Sequence, residues 1–393
     1  MKILVLNAGS SSIKYQLIQI PDNKVICQGL VERIGEEKGM IHYQTERHRI
    51  NQESIIPDHT TGLNMVADFI LDSQIGMLKS ADEIEAVGHR VVHGGSYFVQ
   101  TTLITEKVKK VIKDLFSLAP LHNPPNLAGI EVAEKVFPKA KQVAVFDTAF
   151  HQTIPEVAHR YAIPNHFYEK DHIRLYGFHG TSHQYVAKKA IEFLAKANTK
   201  IISIHLGNGC SMTAIQDGKS IDHSLGFGPM NGLIMGTRSG DIDQSVVLYL
   251  QRHLGYTPEE ISTILQKKSG MLGLTGSNDL RDIEAASAKG NKMAQLALAM
   301  NAYRIKKYIG SYAAIMNGLD ALIFTAGIGE NSDVIRQLVC TDLDFLGISL
   351  DPDKNLVRSK SIRSIESTTS KVKILVIPTN EELEIAEQVF AAL

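Results

Sequence analysis

Three glycine- and hydroxyl-rich segments are where the backbone of this chain could itself do chemistry. Asn7-Ala8-Gly9-Ser10-Ser11-Ser12 breaks the apolar run Ile3 to Leu6, and Gly207-Asn208-Gly209-Cys210-Ser211 does the same after Ile201 to Leu206. Gly327-Ile328-Gly329-Glu330-Asn331 follows the apolar stretch Ala321 to Thr325. Glycine lets backbone N–H groups approach a phosphate closely. A loop between a strand and a helix adds the helix dipole, which favours an anion. None of the three fits the P-loop pattern, and the first leads into a strand. Each alone reads equally well as a plain turn; three on one chain point to a nucleotide.

The charged and titratable candidates lie outside these loops. Arg90 stands at the end of an extended stretch beside Gly94-Gly95, where an arginine is either ion-paired within the fold or clamps an anion. Arg238 lies between Gly236 and Gly240, in a segment flexible enough to reach a ligand, while Asp241 and Asp243 read as caps of the following helix. His179, in Gly177-Phe178-His179-Gly180-Thr181-Ser182-His183, precedes a helix start. It is placed either to donate to a phosphoryl oxygen or to pack beside a helix cap. Asp147 closes the strand Val143 to Phe146, a place for a metal-binding, catalytic or capping carboxylate. Glu381 and Glu382 read equally as first-turn helix acids and as magnesium ligands. His89 and His93 have the i, i+4 spacing of a zinc-protease helix. The surrounding residues are extended, however, so the rings would stand about 13 Å apart. A shared metal is not expected there.

These residues must be held by α/β architecture. Ile13, Tyr15 and Leu17 alternate with Lys14 and Gln16, so the first twenty residues read strand, turn, strand. At an offset of 200 residues Leu6 matches Leu206, Gly9 matches Gly209, Ser11 matches Ser211 and Gln16 matches Gln216, which suggests a duplicated domain. Further elements are a strand at Ala86 to Val92 and an amphipathic helix at Lys107 to Leu118. A helix opens at Thr181 with Gln184 completing a capping box. Another opens at Thr257-Pro258-Glu259-Glu260 and is closed by Gly270. A long helix runs from Lys292 to Met316. A strand at Ile374 to Ile377 and a helix at Glu381 to Ala391 end the chain, and 360–373 reads as a surface loop or edge strand. Strands feeding loops that open helices imply ligands at the strand ends.

Composition narrows the classes. With 41 basic and 42 acidic side chains among 393 residues, the net charge is −1, which argues against a nucleic-acid backbone binder. Hydrophobic residues make up 44% and charged residues 21%, so wholesale disorder is excluded. No apolar run approaches the roughly 18 residues of a membrane span. The N-terminal run is too short for a signal peptide. Three cysteines, Cys27, Cys210 and Cys340, are odd in number and contain no C-x-x-C pair. A reducing cytoplasm is the expected home.

The chain resembles the acetokinase family, in the superfamily shared by sugar kinases, actin and heat-shock chaperone ATPases. The resemblance covers essentially the whole length. It is carried by LNAGSSSIKY (6–15), GHRVVHGG (88–95), FDTAFH (146–151), GFHGTSHQYV (177–186), HLGNGCS (205–211), MGTRSGDID (235–243), FTAGIGENS (324–332) and PTNEELEIA (378–386). It implies a duplicated two-domain actin-like ATPase (ribonuclease H-like) fold with an interdomain active-site cleft. The domains would be 1–149 plus 382–393, and 150–381, the latter binding nucleotide. It also implies reversible, magnesium-dependent, direct in-line transfer of the ATP γ-phosphoryl group to acetate, giving acetyl phosphate and ADP. Manganese is a substitute for magnesium, and a cytoplasmic homodimer is expected, with no membrane or nucleic-acid partner.

By position, the resemblance implies that Asp147, His179, Arg238 and Arg90 are catalytic. Arg90, Val92, Leu121, His122, Phe178 and Pro229 would bind the acid. Lys14, His205, Leu206, Gly207, Asn208, Gly209, Asp279, Leu280, Arg281, Gly327, Ile328, Gly329, Glu330 and Asn331 would bind ATP. Asn7 and Glu381 would hold the metal. Gly228 and Asn231 depart from the family's usual threonine and glutamate, which would reshape the lip of the acid pocket. The alternatives are a propionate or other short-chain acyl kinase, a non-catalytic nucleotide switch, and a sugar kinase. A switch needs no arginines around an acceptor pocket, and a sugar kinase needs a base and polar hydroxyl-binding side chains.

Overall fold

The computed structural model describes residues 1–393. The chain divides into two compact units, Met1–Gln152 with Asn380–Leu393, and Thr153–Thr379.

The first unit is built on one eight-stranded sheet. Its strands are β1 (Lys2–Ala8), β2 (Ser12–Gln19), β3 (Lys24–Glu32), β4 (Gly39–Gln44), β5 (Arg49–Ser54), β6 (Ala86–Val91), β7 (Thr102–Leu103) and β8 (Lys141–Phe146), in the order β5-β4-β3-β2-β1-β6-β8-β7. Strands β1, β2 and β3 pair antiparallel; β1, β6 and β8 pair parallel. The parallel strands are buried along nearly their whole length because helices cover both faces. On one face Ile385, Ala386 and Val389 of the last helix, Glu381–Ala392, pack on Ile3, Val5, Val143 and Val145. Gly88 of β6 makes this docking possible: a Cβ there would lie 2.9 Å from Ile385 and from Val389. The first residue of that helix, Glu381, is thereby brought to the strand ends.

The second unit repeats the plan. Its strands are β9 (Lys200–Leu206), β10 (Cys210–Gln216), β11 (Lys219–His223), β12 (Ala321–Thr325), β13 (Arg363–Ser364) and β14 (Lys373–Val376), ordered β11-β10-β9-β12-β14-β13. Again three antiparallel strands lead into parallel neighbours, β9 with β12 and β12 with β14. The order β11-β10-β9-β12-β14 repeats β3-β2-β1-β6-β8 strand for strand. This is the duplicated actin-like ATPase fold. The duplication lies in topology and not in the residue matches at offset 200. Leu6 pairs with Tyr15, whereas Leu206 pairs with Cys210. The second hairpin closes on Gly207–Gly209 alone, which shifts its register.

Local differences have local causes. The helix expected over Lys107 to Leu118 is Glu106–Asp114; at Phe116 and Leu118 the backbone tightens into i−3 bonds ahead of Pro120. The helix expected to open at Thr181 begins at Gly180, with His179 as its N-cap in the left-handed region (φ 55°). Thr181 therefore lies inside the first turn, and the N-cap position falls to His179. Thr257 and Glu260 do form a capping box, but the helix ends at Lys267. Gly270 (φ +62°) opens the next helix, because a Cβ there would lie 2.2 Å from the Met235 carbonyl. The segment 327–331, read as a loop, is itself a helix, Ala326–Asn331. No helix is long and apolar enough to cross a membrane.

Candidate active site

In the first unit the charged candidates gather on Arg90. The side chain sits one residue before the end of β6, and Asp147 follows β8, the adjacent parallel strand. Nε donates to Asp147 Oδ1 at 3.2 Å and Nη2 donates to Oδ2 at 2.5 Å, so the guanidinium fork takes both carboxylate oxygens. Nη1 reaches Asn7 Oδ1 at 3.5 Å, and Glu381 Oε2 lies 3.8 Å from Nε. Burial works against the charge on Arg90, but Asp147, Glu381 and Glu382 outweigh it and the net pKa shift is upward. Glu381 is shifted up: burial raises its pKa more than Arg90 lowers it, and Asp147 and Glu382 add to the rise. Lys14 pairs with Glu382. Arg90 thus forms an ion pair with Asp147 through Nε and Nη2, with Nη1 toward Asn7.

Two asparagines that sequence patterning did not single out organise this end of the sheet. Asn126 accepts from the Val92 backbone N–H (3.1 Å) and donates to the Ala8 carbonyl (2.7 Å). Asn123 bonds both backbone groups of His93. Both lie in the helix Asn123–Val136, whose N-cap is His122. Val92 is buried and Leu121 is 60% exposed. His89 is bonded to Gln142 Oε1 at 2.7 Å, and burial pushes the His89 and His93 pKa values down to about 4. They are neutral core histidines.

In the second unit a cavity of about 700 Å³ opens at the ends of β9 and β12. Leu206, Gly207 and Asn208 line one side, Asp279, Leu280 and Arg281 another, and Gly327, Ile328 and Asn331 a third. Three segments far apart in sequence therefore meet on one cavity. Its apolar wall comes from Ile234, Met235, Met271 and Ile335; of these only Met235 fell within a quoted motif, and the others carried no sequence signal beyond hydrophobicity. Asp279 caps the helix Leu280–Ala288 and is held by Arg281, which lowers its pKa to about 2. His205, Gly209, Gly329 and Glu330 are not on the cavity wall. Gly329 offers its carbonyl to buried Arg336 (2.8 Å), and Glu330 accepts from the Thr379 N–H (3.1 Å). Those two brace the helix Ala326–Asn331 from behind.

Beside the cavity, Gly209 lies between His179 and Arg238. A Cβ on Gly209 would sit 3.4 Å from His179 Nε2 and 3.8 Å from Arg238 Nη1. Arg238 Nη1 donates to the Pro229 carbonyl at 3.0 Å and faces Met235 Sδ at 3.8 Å, both neutral partners. Burial lowers its pKa, as expected of a guanidinium short of counter-charge. Phe178 is buried next to His179, and Pro229 is half-buried.

No group of three or more His, Cys, Asp or Glu side chains is arranged to hold a metal by itself. Asn7, Asp147 and Glu381 nevertheless form a hard-oxygen set around one guanidinium, and Glu381 is a half-buried acid whose pKa is raised despite Arg90. Magnesium takes one or two carboxylates and completes its shell with water and substrate phosphates. The donor set fits such an ion.

The sequence pattern of the acetokinase family matches residues 2–387. An acetate kinase of Flavobacterium johnsoniae is 62% identical over 393 residues, covering 100% of both chains. The crystal structure of Porphyromonas gingivalis acetate kinase superposes with a TM-score of 0.95 at 46% identity, covering 100% of this chain and 99% of that one. A propionate kinase from Francisella tularensis superposes with a TM-score of 0.93 at 44% identity, covering 98% of each.

Proposed function

Because this chain belongs to the acetokinase family, we propose that it transfers the γ-phosphoryl group of ATP to acetate, reversibly and directly in line, giving acetyl phosphate and ADP. The observation that carries this reading is the full-length 62% identity to an acetate kinase. The cavity of the second unit supports it as the ATP site, and the guanidinium of Arg238, held by neutral groups, supports an acidic acceptor.

The chemistry follows from charge. A simple carboxylic acid has a pKa of about 4 and is already ionised at neutral pH. It needs no general base; the difficulty is bringing one anion up to another. Catalysis is then positioning and electrostatics. Arg90 supplies the acid-side cation, and Asp147 acts by fixing its fork. Arg238 and His179 meet charge that develops on the transferred group. Glu381 and Asn7 would hold magnesium, or manganese as a substitute, which when bound neutralises phosphate charge. Val92, Leu121, His122, Phe178 and Pro229 shape the acid side; Lys14 acts through Glu382.

The test is hydroxylamine trapping of acyl phosphate from magnesium-ATP with acetate, propionate, butyrate and glycerol. Acetate should give the highest kcat/KM. One added methylene should cost about 10- to 200-fold at most, so propionate turns over at a reduced rate. No product with any acid ends the acyl-kinase reading, and a propionate optimum replaces acetate.

Gly209→Ala gives a second, local check. The added methyl fits at ordinary contact distance, so thermal stability should hold. It occupies the space between His179 and Arg238, and kcat should fall at least about tenfold. Normal turnover would remove that pair from the site.

The enzyme is a homodimer in this reading. In the second unit the helix Gln244–His253 has no buried residue and exposes Val246, Leu248 and Tyr249. Nearby, Leu296, Met300 and Tyr303 stand exposed on Lys292–Ile315, which ties to Asp241 through Tyr308. Such an apolar expanse is expected to be covered. Light scattering should give twice the chain mass, and Tyr249→Glu should shift it toward monomer; a monomeric parent excludes the assignment. A cytoplasmic location agrees with three free, buried cysteines.

A further inference from the structure

Resting on the phosphotransfer reading, which gives His179 a phosphoryl oxygen to meet, we propose that Ser203, His183 and Ser211 form a directed hydrogen-bond relay that holds neutral His179 with its proton on Nε2. The three are positioning residues that act through His179. His179 is the N-cap of the helix Gly180–Leu194 and His183 lies in its first turn. Ser203 is on β9 and Ser211 on β10, the antiparallel strands beneath. Ser203 Oγ is 2.9 Å from His183 Nδ1. His183 Nε2 is 2.8 Å from Ser211 Oγ, and Ser211 Oγ is 2.9 Å from His179 Nδ1. His183, Ser203 and Ser211 are all fully buried.

The chain has a direction because a hydroxyl carries one proton. An unbonded buried donor costs more than an unused acceptor lone pair. Ser203 therefore donates to His183 Nδ1. His183 then carries its proton on Nε2 and donates to Ser211 Oγ, and the Ser211 hydroxyl in turn donates a hydrogen bond to His179 Nδ1. With Nδ1 accepting, the neutral His179 ring keeps its proton on Nε2. A Cβ on Gly209 would lie 3.4 Å from that nitrogen and 3.8 Å from Arg238 Nη1. Two N–H donors then flank one position. The reverse tautomer would present a lone pair to a phosphoryl oxygen and repel it.

The rings are clamped as well as wired. His205 stacks on His179 at 4.5 Å and is held by Ser182 through Nδ1 at 2.9 Å. His223 meets His183 edge-on at 5.3 Å. Its Nε2 accepts the Phe178 backbone N–H (3.1 Å), which leaves Nδ1 to donate to Thr213 Oγ1 (2.8 Å).

The experiment is long-range nitrogen–proton NMR of histidine-labelled full-length protein without substrates, with the His179 signal assigned by His179→Gln. The wild type should show His179 protonated on Nε2 only. Ser211→Ala should mix the two tautomers and lower kcat about tenfold, the worth of one hydrogen bond, with ATP KM changed less than about threefold. Ser211→Thr keeps the hydroxyl and should restore the Nε2 proton. A wild-type proton on Nδ1, a doubly protonated ring, or an unchanged His179 signal in Ser211→Ala overturns the relay. Should the alanine variant not fold, the wild-type and threonine signals decide it. The readout needs no turnover, so a failed acid panel refutes the acceptor reading and leaves the relay standing; the wrong tautomer does the opposite.

Discussion

Arg238→Ala is expected to lower kcat by about 10²- to 10³-fold while the KM for ATP changes by only a few-fold. The magnitude is that of removing a preorganised donor from developing transition-state charge. The asymmetry follows from location. The guanidinium bonds to neutral groups, the Pro229 carbonyl and Met235 sulfur, so its charge is not consumed within the fold. It is not on the wall of the large cavity, so a nucleotide seated there keeps its own contacts. Loss of Arg238 should also leave stability nearly intact, because no buried carboxylate loses a partner. Steady-state kinetics and a melting curve decide the matter. An unchanged kcat would refute the role, and a large rise in ATP KM alone would move Arg238 to ground-state binding. Arg238→Lys restores charge but not the planar fork, and should recover only part of the loss.

Arg90→Ala should behave differently, with activity falling by at least about 10²-fold and stability falling too. Here the cation is paired: Asp147 is 1% exposed and gives both oxygens to Arg90, with Glu381 close by. Truncating Arg90 removes the fork that takes both Asp147 oxygens and lies beside Glu381, and breaking one side of a buried pair costs about 3–5 kcal/mol. Adding Asp147→Ala removes the carboxylate that lost this fork and should recover much of that stability. It should not recover activity, since the acid-side cation is still missing. Denaturant unfolding and acyl-phosphate trapping on both single variants and the double variant separate the two effects. A double variant as unstable as Arg90→Ala would show that the pair is not coupled; an active one would remove Arg90 from the reaction.

The contrast between these two arginines marks what a linear reading can reach. Both were visible as arginines near glycines; Arg238 read as able to reach a ligand, while at Arg90 ion pair and anion clamp stayed open. Asp147 lies 57 residues from Arg90 and meets it only because β6 and β8 are parallel neighbours. For Arg238 the decisive fact is that no acid meets it. The same limit hid Asn123 and Asn126, ordinary helix-start residues until their side chains are seen to tie backbone groups of 8, 92 and 93. It hid Ser203, a serine on a buried strand, and the bonds by which Ser211 joins His183 to His179.

The amino-acid sequence by itself determined the chemistry on offer and the elements that carry it. Two-residue alternation marked the hairpin strands, and glycine marked the turns and close approaches. The residue types matched a family across the whole length. These are short-range properties: strand period, φ > 0 and side-chain charge are set by a residue and its near neighbours. Only the tertiary structure decided which groups share a site. Strand order placed Asp147 on Arg90, a three-residue turn shifted the second hairpin away from its expected register, and packing drew 206–208, 279–281 and 327–331 around one cavity. Those outcomes depend on how covered faces stack and on which buried polar groups must find partners, and no window of a few residues contains that information.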